Sequence, residues 1–66
     1  MLIQVNGEPQ EVNEGLALAE LITQLKLRAD QIAIELNHEV LKRSAWRGTI
    51  LQPGDRVEIV HFVGGG

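Results

Sequence analysis

Ile3 and Val5 alternate with Leu2 and Gln4 at the start of the chain, the period-two spacing of a strand with one face in a core. Asn6-Gly7 follows. That pair suits the positive-φ positions of a tight hairpin turn, so residues 8–12 are predicted to return beside the first strand. Pro9 has no N–H for a sheet ladder, which assigns the returning strand to the edge. Beyond Asn13-Glu14-Gly15 the period lengthens. Leu18, Leu21, Ile22 and Leu25 fall at i, i+3, i+4 and i+7, which predicts an amphipathic helix over 17–25 with Glu20, Thr23, Gln24 and Lys26 on its wet side. Alternation resumes at Ile32, Ile34 and Leu36, and 37–39 is predicted to turn into a short strand at 40–41. Ser44 is expected to cap a single helical turn through 45–47, closed by Gly48 in the left-handed conformation. Pro53-Gly54-Asp55 is a turn signal, and 56–63 is the last and most apolar strand.

One helix can cover only one face of the sheet that these strands form, so the other face is left to solvent. The last strand lacks proline and is the most hydrophobic, which places it centrally, next to the first. The expected fold class is α+β: a β-grasp, ubiquitin-like arrangement with a mixed sheet of four to five strands and one helix packed on one face. The expected organisation is one β-grasp domain over 1–63 and a flexible glycine tail over 64–66.

Composition narrows the function. A chain of 66 residues has room for one small core, burying about 60% of its unfolded surface. It contains no cysteine, which removes disulfides, thiolate metal sites and a cysteine nucleophile. Six Lys and Arg against nine Asp and Glu give a net charge of -3, and Trp46 and Phe62 are the only aromatic residues; a nucleic-acid partner is not expected. No apolar run is long enough to span a bilayer, and the N-terminus lacks the pattern of a signal peptide. A cytoplasmic protein, monomeric when free and without membrane association, is expected.

The ending HFVGGG is unusual for a folded unit, since three glycines contribute no core contact and lose much backbone freedom on being fixed. Taken alone, they suit a solvated end or an expression remnant. The opening MLIQVNGEP, the final hairpin LQPGDRVEIV and the glycine ending, in that order, resemble the ThiS type of β-grasp protein, the small sulfur carriers of thiamine biosynthesis. The resemblance implies that the carboxylate of Gly66 is adenylated by an E1-like (ThiF-type) enzyme using ATP and Mg. It is then converted to a thiocarboxylate through a sulfur relay such as a cysteine desulfurase, and used by a ThiG-type thiazole synthase. Gly65 and Gly66 match the family's terminal pair, and Gly64 lengthens the reach into partner active sites. The chain itself is expected to bind no cofactor and to be a co-substrate of its partners, not an enzyme. A small subunit of the molybdopterin-synthase type and a ubiquitin-like covalent modifier share this ending and stand as alternatives.

Parity in the last strand adds a partner surface. Val57, Ile59, His61 and Val63 form one set, and Glu58, Val60 and Phe62 the other. Glu58 marks its set as the open face, which leaves Val60 and Phe62 exposed before the tail unless neighbouring side chains cover them. The family resemblance implies that partners grip this face. The remaining candidates read as structure: His38 as a solvated turn residue ahead of a metal or acid–base role, His61 as a cap on the end of the core or a local hydrogen-bond partner ahead of a base, and Trp46 as packing under a loop. Lys42, Arg43 and Arg47 form a basic cluster, either wet surface or a contact for an acidic partner. Glu8, Glu11, Glu14 and Glu20 make the first third acidic, a matter of solvation or weak steering.

Overall fold

The computed structural model describes residues 1–62; the glycines at 64–66, and Val63 before them, lie outside the described residues. Strand β1 (Leu2–Val5) pairs antiparallel with β2 (Glu8–Glu11), placing Gln4 opposite Pro9. Asn6 at φ 50° and Gly7 at φ 83° make the turn between them. Helix α1 (Leu18–Gln24) then crosses the sheet, followed by a 3-10 turn (Ala29–Gln31) and strands β3 (Ile32–Leu36) and β4 (Glu39–Leu41). A second, four-residue helix α2 (Arg43–Trp46) precedes β5 (Arg56–His61). The strand order is β2-β1-β5-β3-β4. β5 therefore sits at the centre, parallel to β1 and antiparallel to β3, and the proline-bearing β2 lies at one edge, where a missing donor costs least. This is the mixed-sheet, one-face-covered α+β arrangement expected from the alternation of periods.

The helix ends where its local chemistry allows. At the start, the Ala17 N–H donates to Glu20 Oε1 at 2.9 Å, satisfying one of the N–H groups left free there. At the end, Lys26 N–H donates to Thr23 O and Leu27 N–H to Ile22 O, the paired bonds of a Schellman stop. Lys26 holds the left-handed φ of 59° at this stop, a position glycine fills more readily. Between these ends Leu18, Leu21 and Ile22 are buried, and they pack with Ile3, Ile34, Val57 and Ile59 from the sheet and with Val12, Leu16, Ile32, Trp46 and Leu51 around them.

Two details of the loop before β5 depart from the sequence expectation. The short helix begins at Arg43 with Lys42 at its N-cap position and no side-chain cap, so Ser44 lies inside the turn instead of capping it. Gly48 is not left-handed; among the described residues the positive-φ glycines are Gly7, Gly15 and Gly54. Thr49 closes this turn, its hydroxyl donating to Ala45 O at 2.7 Å. The packing of Trp46 has selected the register. Its ring is buried and its Nε1–H donates to Leu41 O at 3.1 Å, which fixes where the helical turn can start.

Candidate functional site

The strand that leads to the glycine ending is held along its whole length. At its start, Gln52-Pro53-Gly54-Asp55 turns with Gly54 at φ 83° and Asp55 N–H donating to Gln52 O. The Asp55 carboxylate tightens the turn by accepting from Gln52 N–H at 2.7 Å and from Asn37 Nδ2 at 3.0 Å. Asn37 in turn accepts from Arg56 N–H through its Oδ1 at 2.9 Å. The β3–β4 turn and the turn before β5 are thus joined by side chains that replace backbone partners. Asn37 and His38 both have positive φ, 51° and 72°, a conformation that asparagine tolerates better than most residues.

Farther along, Asn6 secures the middle of β5. Its backbone N–H donates to Val57 O at 2.8 Å, and its side-chain Oδ1 accepts from Ile59 N–H at 2.6 Å. The parallel ladder between β1 and β5 pairs Gln4 with Arg56 and Val5 with Val57; β1 then turns away, and the Asn6 side chain satisfies the next donor of β5 in its place. On the other side, β3 accompanies β5 from Leu36 opposite Val57 to Ile32 opposite His61. The last described residue is pinned as well, Phe62 N–H donating to Gln31 O at 2.9 Å. The chain is therefore fixed up to the residue before Val63.

The side of β5 away from α1 carries Arg56, Glu58 and Val60, with Phe62 just past the strand. Val60 and Phe62 are 56% and 54% exposed. Their surroundings were not legible from the last strand alone. Register places Ala33 opposite Val60, Glu35 opposite Glu58, and Val40 opposite Glu35, while Leu2 and Gln4 extend the same face on β1. Leu2 and Val40 are also exposed, at 54% and 73%. The open face thus has apolar side chains on four strands with two carboxylates at its middle. Leu2 and Val40 could have been found from their parity, out of phase with the buried Ile3 and the half-buried Leu41.

The other candidates are dispersed. His38 is exposed in its turn, and His61 is exposed at the end of β5 despite sharing parity with Val57 and Ile59, so it does not cap the core. Among the described residues no group of three or more His, Cys, Asp or Glu side chains could hold a metal ion, and no helix is long and apolar enough to cross a membrane. The basic residues Arg43 and Arg47, with Ser44, line an open hollow of about 450 Å³. Gly64, Gly65 and Gly66, the proposed reactive end, lie outside the described residues. What the described part offers is a rigid central strand delivering the chain to that end, beside an apolar and acidic face.

Comparison with known proteins bears on the whole chain. Residues 3–66 match the model of the ThiS family. The crystal structure of a thiamine biosynthesis protein (ThiS) from Geobacter metallireducens superposes with a TM-score of 0.87 at 43% identity, covering all of both chains. A thiazole synthase of Magnetococcus marinus is 38% identical over 66 residues, all of this chain but 20% of that protein; the chain thus spans about one fifth of that relative. The sulfur carrier protein ThiS of Escherichia coli is 29% identical over the full length of both.

Proposed function

The chain belongs to the ThiS family, and from that premise we propose that it is a sulfur carrier of thiamine biosynthesis whose reactive group is the carboxylate of Gly66. The observation that carries this reading is β5, a central strand fixed on both sides and pinned at Phe62 immediately before the glycine ending. Such a strand presents a tether in a constant direction. Glycine lacks a Cβ, so Gly64 and Gly65 suit a narrow channel, and three extended residues reach roughly 10 Å beyond Val63.

The chemistry follows from the end group. An α-carboxyl with an ordinary pKa of about 3.3–3.7 is ionised at neutral pH and is a poor electrophile. A carboxylate oxygen of Gly66 attacks the α-phosphorus of ATP in the active site of an E1-like partner, pyrophosphate leaves, and an acyl adenylate forms. The terminal sulfur of a persulfide, supplied by a relay such as a cysteine desulfurase, then attacks the carbonyl carbon and expels AMP. A thiol reductant cleaves the resulting acyl disulfide, leaving its own sulfur in a disulfide with the relay cysteine. The thiocarboxylate that results is the sulfur donor to a ThiG-type thiazole synthase. ATP, Mg and the groups that handle them belong to the activating partner, and the chain acts as co-substrate. Glu58, Val60 and Phe62 form the face those partners grip. The likeness to thiazole synthases over a fifth of their length supports that enzyme as one of the partners. The family match and the relatives named ThiS favour this carrier over the molybdopterin-synthase type.

Incubation with the adenylating enzyme, ATP and a sulfide source, followed by tandem mass spectrometry of the C-terminal peptide, tests the reading. The expected product has sulfur in place of one oxygen at Gly66. An unchanged terminus, or a peptide in which Gly66 is internal, would refute it.

A further inference from the structure

A second surface lies near the chain's exit. Lys42, Arg43 and Arg47 are exposed and supply three of the six Lys and Arg residues of an otherwise acidic chain. Among the described residues none of the three forms an ion pair. Arg43 and Arg47 stand four residues apart in a helical turn, a spacing at which like charges repel. They are held there by the buried Trp46 ring and its bond to Leu41 O, and with Ser44 they line the open hollow. A cationic, self-repelling and well-anchored hollow is a place where an anion relieves an existing cost.

Topology says at which end of the sheet this hollow lies. β4 and β5 both run antiparallel to β3, so they leave the sheet at the same end. Leu41 and Ile59 share the row of Ile34, and His61 lies opposite Ile32 one pleat farther on. The helical turn therefore starts at the end of the sheet from which β5 leads into the glycine ending. β4, which leads into that turn, is separated from β5 by β3 alone, two strand spacings or about 10 Å.

We propose that the hollow between Arg43 and Arg47 receives a carboxylate side chain, an Asp or Glu, from the rim of the partner active site that the tail enters. The proposal rests on the carrier reading above and adds a second anchor to it. A protein carboxylate fits better than a small free anion. The hollow is open, and the described residues include no buried polar or charged side chain to hold a solute; exposed arginines bind a small anion weakly in water. When a protein surface closes over them the site is desolvated, and a planar guanidinium then offers a carboxylate two parallel hydrogen bonds. Before contact, the same charges steer an acidic rim toward the tail.

Binding kinetics with the adenylating enzyme, measured at several salt concentrations, test this. The proteins compared are wild type, Arg43→Ala/Arg47→Ala, Arg43→Lys/Arg47→Lys and Phe62→Ala. The alanine pair is expected to lose about tenfold or more in affinity and to flatten the salt dependence of association. The lysine pair should keep the salt dependence but dissociate faster, having charge without the fork. Wild-type affinity and salt slope in the alanine pair, with Phe62→Ala impaired, overturn the proposal and leave the carrier reading standing. If wild type itself fails to bind, the carrier reading falls and this inference with it. Titration with inorganic phosphate, followed at the amides of Arg43 to Arg47, is expected to show no saturable site; tight binding there would identify a free-anion site and also overturn the proposal.

Discussion

Asn6 performs two tasks that are separable by substitution. Its backbone occupies a positive φ of 50°, and its side chain satisfies the Ile59 N–H on a strand 53 residues away in sequence. Asn6→Gly keeps the turn conformation and removes the acceptor; leaving a largely buried donor unpaired costs about 1–3 kcal/mol. Asn6→Asp retains an acceptor and should cost less. Urea denaturation of the two variants checks the order, and equal stabilities would show that water replaces the side chain without penalty. Asn6-Gly7 could be read as a turn from sequence because turn geometry is local. The bond to Ile59 could not, since it depends on the parallel pairing of β1 with β5. Ser44 teaches the same lesson in reverse: a good capping residue was available, but burial of Trp46 set the register and moved the helix start to Arg43.

At the scale of elements, periodicity carried most of the information. Helix α1 lies inside the expected span of 17–25, and its buried residues Leu18, Leu21 and Ile22 belong to the apolar stripe. Leu21 is fully buried, so Leu21→Ala removes packed methyl groups that the sheet cannot replace, at an expected cost of about 2–5 kcal/mol. That is a large part of the roughly 5–15 kcal/mol that stabilises a typical domain. A change of only a few tenths in denaturant unfolding would contradict the packing described. In β5, Val57 and Ile59 are buried and Glu58 and Val60 exposed, as the alternation implies. The pattern fails at His61 because alternation reports which side a residue faces, not how far the cover on that side extends. Its row partner Ile32 is buried while His61 is exposed.

For the whole molecule, the proposed partner face lies on the open side of the sheet, so stability and binding are expected to separate. Phe62→Ala and Val60→Asp alter side chains outside the core and should shift the melting temperature little, while weakening association with the adenylating enzyme. Measured together, a large loss of stability would place these side chains in the fold's support instead of its contact surface. The two faces also explain why the site was only partly legible. The last strand alone gives Glu58, Val60 and Phe62; parity could add Leu2 and Val40 to the open face, but it is register across four strands that sets them, with Ala33 and Glu35, beside those three. The end of the chain is the simplest part to read in sequence and the one on which the proposed chemistry depends.

The central claim, that a free carboxylate at Gly66 is the activated group, is tested most directly by ATP–pyrophosphate exchange with the adenylating enzyme. Three forms are compared: the chain ending at Gly66, a variant lacking Gly66, and a variant extended by one residue. All three should fold, since the change lies beyond the strands. The shortened form places its carboxylate one residue, roughly 3.5 Å, short of the phosphate, whereas reaction needs atoms about 3–3.5 Å apart. The extended form converts the Gly66 carboxyl into an amide. Exchange is expected with the chain ending at Gly66 and with neither variant; equal exchange by all three would contradict the claim.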